Sequence, residues 1–167
     1  MINGEEILKA RYPDLNEDQY QPAGIDLTLG NLYELKENSL DLYGLFKNMK
    51  VLPDQEELLP RNVLIKGGLC KVYTLAPGAA YIAKTNEKIE IDEYSAQFYL
   101  PRSSLLRAGV FVQTALGDPG FHGHLSFLIV NHSSVPFMLE KGVRFAQLVD
   151  FTCTGIKNKY NGDYNEK

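Results

Sequence analysis

Along most of the chain, apolar residues fall in short runs set apart by Gly, Pro and Asx pairs, the spacing of β-strands and not of long helices. AGIDLTLG at 23–30 alternates apolar and polar positions as a half-buried strand does. Further strands are predicted at 63–65, 70–75, 80–84, 89–91 and 96–100, divided by turns at Gly67-Gly68, Pro77-Gly78, Asn86-Glu87 and Asp92-Glu93. AGVFVQTAL at 108–116 reads as one buried strand, and 125–131, 135–139 and 144–152 complete the set, the last entered through a turn at Gly142. The pattern predicts an all-β barrel or jelly-roll-like sandwich.

Helical signals are confined to the start, where Asn3-Gly4-Glu5-Glu6 precedes Ile7 and Leu8. They predict a short N-capped helix, Glu6 completing a capping box and Pro13 ending it, serving as a structural flap. The acidic 31–60 stretch, with Asp54-Gln55-Glu56-Glu57, reads as a solvated excursion. The tail GIKNKYNGDYNEK at 155–167 lacks apolar periodicity and reads as mobile.

Composition narrows the class. With 167 residues, 44% hydrophobic and 23% charged, the chain suits one domain, 1–167, with a real core. A net charge of -4 argues against a protein that grips a nucleic-acid polymer, which needs a basic face. No apolar run is long enough to span a membrane. Cys70 and Cys153 stand alone and the first residues carry no apolar leader, so a reduced, cytoplasmic protein is expected. The three His and two Cys have no zinc-like spacing.

Polar reactive groups concentrate in PRSSLLRAGVFVQTALGDPGFHG at 101–123. Arg102, Ser103 and Ser104 place a planar cationic fork beside two hydroxyl donors, a set suited to phosphate oxygens, although such a turn is commonly only a turn. Asp118, between Gly117 and Pro119-Gly120, stands on a constrained turn where a general base would be useful. Asp26 interrupts a strand; it reads equally as a cap or turn residue and as a holder of a hydrated cation. Gln147, inside an apolar strand, is either a satisfied core amide or a donor to a ligand. Lys157, Lys159 and Tyr160 would be free to close over an anion.

Four motifs in order, AGIDL at 23–27, PRSSL at 101–105, GDPGFHG at 117–123 and GVRFAQLV at 142–149, resemble the dUTPase and dCTP deaminase superfamily. The resemblance implies a distorted jelly-roll, or β-clip, subunit with a short N-terminal helix. It further implies a homotrimer with active sites at subunit interfaces, and dUTP or a related triphosphate bound with Mg2+. In deaminases of this kind a catalytic glutamate sits on the strand after the DPG turn; here Leu128 occupies its place, and leucine cannot carry protons. The chain therefore looks most like a monofunctional dUTPase on a deaminase-like frame. A dCTP deaminase, a bifunctional enzyme and a catalytically silent nucleotide sensor are the alternatives. Carried over residue by residue, the resemblance gives Asp118 the base role and Asp26 the Mg2+ through water. Arg102, Ser103, Gln147, Lys159 and Tyr160 would take the phosphates, with Ser104 and Arg107 as candidates for phosphates or the subunit interface. Phe121 would pack under the deoxyribose. Val112, Gln113, Thr114, Ala115 and Leu116 would read uracil through their backbone.

Overall fold

A computed structural model describes residues 1–36, 42–43, 50–51 and 54–166, so part of the acidic 31–60 stretch lies outside the described residues. In chain order the elements are α1 (Glu5–Arg11), a 3-10 turn (Glu17–Gln19), β1 (Tyr20–Gln21), β2 (Gly24–Leu35), β3 (Leu42–Tyr43), β4 (Lys50–Val51), β5 (Gln55–Leu58), β6 (Arg61–Ile65) and β7 (Gly68–Leu75). There follow β8 (Ala80–Glu90), β9 (Ser95–Pro101), α2 (Ser103–Arg107), β10 (Val110–Gln113), β11 (His122–Asn131), β12 (Phe137–Glu140) and β13 (Arg144–Thr152). The fold is mainly β, as expected, and every described strand pair is antiparallel.

The main sheet runs β10-β11-β8-β2-β13-β9, with β1 and β5 also on β2; β12-β7-β6 form a smaller sheet. The two ends of the main sheet meet at one bridge, where Gln97 and Gly117 exchange backbone hydrogen bonds of 2.9 and 2.8 Å. The barrel is thereby nearly closed, which removes most of the unpaired edge that an open sheet would expose. Inward positions repeat at every second residue, Leu125, Phe127 and Ile129 on β11 and Tyr81, Ala83 and Ile89 on β8, the period a pleated strand imposes.

Five expectations change. Helical structure is not confined to the start: α2 forms over Ser103–Arg107, where a turn was expected. Residues 80–90 are one strand, not two split by a turn at Asn86-Glu87. Glu87 falls on the inward row, where its carboxylate accepts from Thr28 N–H at 2.9 Å, Thr28 Oγ1 at 2.6 Å and Gln19 Nε2 at 2.8 Å. Side-chain partners thus satisfy a group that a sequence reading assigns to solvent. The 108–116 stretch is not one buried strand: β10 spans only Val110–Gln113, with Val110 and Val112 buried and Phe111 and Gln113 exposed. Alternate side chains of a pleated strand point to opposite faces, so only one face of β10 packs on the core. Helix α1 has Gly4 at its N-cap and no side-chain cap; Asn3 is buried and donates to Asp150 at 2.5 Å instead. Nor is α1 a flap, since Leu8 is fully buried in the core, a contact of about 1.5–3 kcal/mol. Finally, β2 continues past residue 30, with Leu32 fully buried, and Gln55–Leu58, carrying the exposed Glu56 and Glu57, pairs with it as β5.

Candidate active site

The singled-out residues gather in two places. The first is a cationic cradle where β2, β13 and the start of α2 meet. Gly24 allows it: any side chain there would strike the Leu148 carbonyl, so only glycine lets β2 and β13 run this close. Their register then sets Asp26 opposite Gln147. Asp26 is 1% exposed, and its Oδ2 accepts from Arg102, with Arg144 Nη1 3.6 Å away. Arg102 is itself fixed by a backbone bond to the Phe145 carbonyl at 3.1 Å. Ser103 and Ser104 open α2 exposed, and Arg107 donates to Ser103 Oγ at 3.3 Å. Three guanidinium groups, two hydroxyls and one amide against one buried carboxylate leave the cradle net positive. Arg144 was inside a recognised motif but not singled out as a site residue; only its place on β13, three residues before Gln147, brings it to Asp26.

The second place is an open cleft of about 630 Å3 bounded by β8, β11 and the segment after β10. Ala115, Leu116, Gly117, Asp118, Phe121 and Tyr160 line it, and among the described residues Asp118 is the only carboxylate that does. The turn bearing Asp118 is held at both ends. Gly117 pairs with Gln97, while Gly120 N–H donates to the Ile91 carbonyl at 2.9 Å and Ile91 N–H to the Phe121 carbonyl at 2.8 Å. Gly117 has no room for a side chain, because a Cβ would crowd Tyr99 Oη, Ile91 Cδ1 and Gln97 Cβ. Val112 is buried and Gln113 exposed on β10; Thr114 Oγ1 donates to the Tyr99 carbonyl at 2.8 Å.

The tail lies against this cleft. Tyr160 N–H donates to the Pro119 carbonyl at 2.7 Å, and the Tyr160 ring meets Phe121 edge-on at 5.8 Å. Lys159 pairs with Glu93 at 2.6 Å, which raises its pKa above the ordinary lysine value. Lys157 is exposed, with no ion pair among the described residues. Tyr99 and His124 also line the cleft and were missed. His124 Nδ1 lies 3.1 Å from the Thr85 carbonyl, which can only accept, so in the neutral ring Nδ1 carries the hydrogen and Nε2 is the acceptor. Leu128, on β11, is half-buried opposite Ile82 and Gln113. Arg102, Ser103, Arg107, Gln147 and Asp26 are not among the described residues that line the cleft, and Ser104 and Arg144 border a different concavity, of about 370 Å3.

Residues 2–153 match the dCTP deaminase-like family. The chain is 43% identical to a protein of Methanopyrus kandleri described as "Probable deoxyuridine 5'-triphosphate nucleotidohydrolase", over 98% of this chain and 99% of that one. A Methanothermobacter thermautotrophicus protein of the same description is also 43% identical, over 99% and 100%. Among solved structures, the 2'-deoxycytidine 5'-triphosphate deaminase of Agrobacterium tumefaciens shares the fold with a TM-score of 0.63 and 20% identity, over 89% of this chain and 47% of that one. No described helix is long and apolar enough to cross a membrane. With this match spanning the barrel, the cradle and the cleft alike, the chain belongs to the dCTP deaminase-like family.

Proposed function

We propose that the protein hydrolyses dUTP to dUMP and pyrophosphate. The observation that carries this reading is the lone carboxylate of Asp118 in a cleft of aromatic and apolar groups, with leucine at 128 where deamination would need an acid. Hydrolysis needs a positioned water and charge neutralisation, without a covalent intermediate. Asp118 accepts a proton from water as its oxygen bonds to the α-phosphorus; the bond to the bridging oxygen breaks and its electron pair leaves with pyrophosphate. The proton then passes to solvent. Phe121 underlies the deoxyribose, and the backbone of residues 112–116 reads the base. Full-length similarity to two proteins described as dUTP nucleotidohydrolases supports the substrate.

A triphosphate has to touch both places, yet within one subunit no described cradle residue lines the cleft. A homotrimer in which the cradle of one copy meets the cleft of the next supplies the complete site. In that assembly Arg102, Ser103, Ser104, Arg107 and Gln147 take phosphate oxygens, and Lys159 and Tyr160 approach from the tail. Lys159 is free to exchange Glu93 for phosphate, because solvent screens an exposed ion pair and leaves it weak.

The donor set fits Mg2+ and no tighter metal. Among the described residues no three His, Cys, Asp or Glu side chains cluster into a cage. An ion here would draw its ligands from phosphate and water, as Mg2+ does. The arginine contacts of Asp26 fall on Oδ2, so Oδ1 is the oxygen that would hold such a water shell. When bound, the ion supplies charge neutralisation on the phosphates.

The test offers dUTP and dCTP separately with Mg2+ and scores pyrophosphate and uracil formation independently. Pyrophosphate from dUTP, untouched dCTP, and loss of turnover by about a thousandfold in Asp118→Asn with binding retained are the expected results. Uracil products from dCTP would replace this reading with deamination. Tight dUTP binding without turnover would replace it with a nucleotide sensor.

A further inference from the structure

Gln97 is fully buried, so its side chain meets neither solvent nor substrate, yet both of its backbone bonds go to Gly117, the residue before Asp118. Its side chain is bonded on every side. Nε2 donates to Tyr12 Oη at 2.7 Å and to Asp150 Oδ2 at 3.0 Å, and Oε1 accepts from Tyr99 Oη at 2.9 Å. Asp150, fully buried on β13, also accepts from Asn3 at 2.5 Å and from Arg11 at 2.6 Å. Tyr12 passes its own hydrogen to the Glu90 carbonyl at 3.0 Å. Burial pushes the phenols of Tyr12 and Tyr99 above their ordinary values, so both remain hydroxyl donors.

Arg11 continues the connection. It donates to Ser95 Oγ at 2.8 Å and pairs with Asp92 at 2.7 Å. Asp92 and Ser95 lie between Ile91 and Gln97, the two residues on which the ends of the Asp118 turn are hung. One helix end therefore holds both anchors. Apolar side chains would fill this volume with less desolvation, so the polar content calls for another reason. Hydrogen bonds fix direction, whereas apolar contacts permit sliding.

We infer that α1, through Arg11, Tyr12, Asp150 and Gln97, is the device that aims the Asp118 carboxylate, with Gln97 the positioning residue. The inference rests on the hydrolytic role given to Asp118. A small displacement of a reacting group lowers the rate of the chemical step while leaving substrate binding intact.

The experiment compares wild type, Tyr12→Phe and Gln97→Leu as full-length protein. It measures kcat for dUTP, affinity for the non-hydrolysable α,β-imido analogue with Mg2+, and melting temperature. The expected result is a fall in kcat of about tenfold for Tyr12→Phe and about a hundredfold for Gln97→Leu, with analogue affinity held within about twofold. Tyr12→Phe guards against simple misfolding, since it removes one oxygen and keeps the ring. Unchanged kcat in both variants overturns the inference. So does a loss of kcat that follows the folded fraction, with full activity per folded molecule. Wild type that turns over dUTP beside insensitive variants sinks this inference alone; wild type that does not turn over dUTP removes the hydrolytic reading and this inference with it.

Discussion

Asp26 and Asp150 are both buried carboxylates on the adjacent strands β2 and β13, at 1% and 0% exposure, and both are paired with arginine. Their surroundings differ in where the remaining donors point. The side chains of Arg102 and Arg144 are 34% and 38% exposed; Arg144 also donates to the Asp18 carbonyl at 2.7 Å, and Arg102 keeps guanidinium N–H groups beyond those Asp26 accepts. Around Asp150 the donors Asn3, Arg11 and Gln97 come from three separate segments and converge on the carboxylate itself. A buried charge alone therefore does not mark a ligand site. What distinguishes the two is whether a partner has hydrogen-bonding capacity left over, and by that measure Asp26 underlies a cradle with donors to spare while Asp150 underlies a scaffold.

The largest expected effect breaks the scaffold. Asp150→Ala removes the acceptor shared by three donors and leaves the Arg11 cation with Asp92 alone. A folding loss of about 3 kcal/mol is expected, the low end of the range for breaking a buried pair because Arg11 keeps some water contact. Urea or thermal unfolding checks it; a loss below about 1 kcal/mol would place Asp150 among ordinary surface pairs. Next, Arg102→Ala removes the hydrogen-bonded partner of Asp26 and leaves Arg144 3.6 Å away, so it should cost some stability, less than Asp150→Ala, and weaken triphosphate binding by about tenfold to a hundredfold. Arg102→Lys should recover only part of that loss, because an ammonium cannot present the planar fork. Titration with the imido analogue reads both, and undiminished affinity in Arg102→Ala would remove the cradle from the phosphate.

The strand carrying the last motif was legible because its alternation is local: 144–152 was read with the bounds that β13 has. Glu87 was misread because a charged residue beside asparagine ordinarily marks a turn, and its partners Gln19 and Thr28 lie 68 and 59 residues away. The reactive residues of the cradle and cleft stood out as types, yet that the cradle stands apart from the cleft follows from strand order, which no local pattern carries. Gln97, Tyr99 and Asp150 left no signal at all. Each sits in an otherwise unremarkable strand, and their relation to Asp118 comes from the closure of the barrel, through the bridge of Gln97 to Gly117 and the place of Tyr99 on the cleft wall.

Glu166 extends the comparison to an exposed carboxylate, where the smallest effect is expected. It accepts from the His124 backbone N–H at 3.2 Å and lies 3.5 Å from Lys88, fastening the tail to β11. First the His124 hydrogen bond and then Lys88 hold its carboxyl below the ordinary glutamate value. A group depressed on docking favours the docked tail at pH above its undocked value, and that contribution disappears as pH falls through the docked value. Acidification below about pH 4 should therefore increase hydrogen exchange at the His124 amide before the barrel unfolds. Glu166→Gln keeps an acceptor without the titration and should flatten that pH dependence. Truncation before Lys157 removes the fastening altogether and should raise KM for dUTP by about threefold to tenfold with a smaller change in kcat, the signature of lost binding and intact chemistry. Unchanged KM would assign residues 157–166 to packing against the turn alone, leaving Asp118 and the cradle to bind the substrate without them.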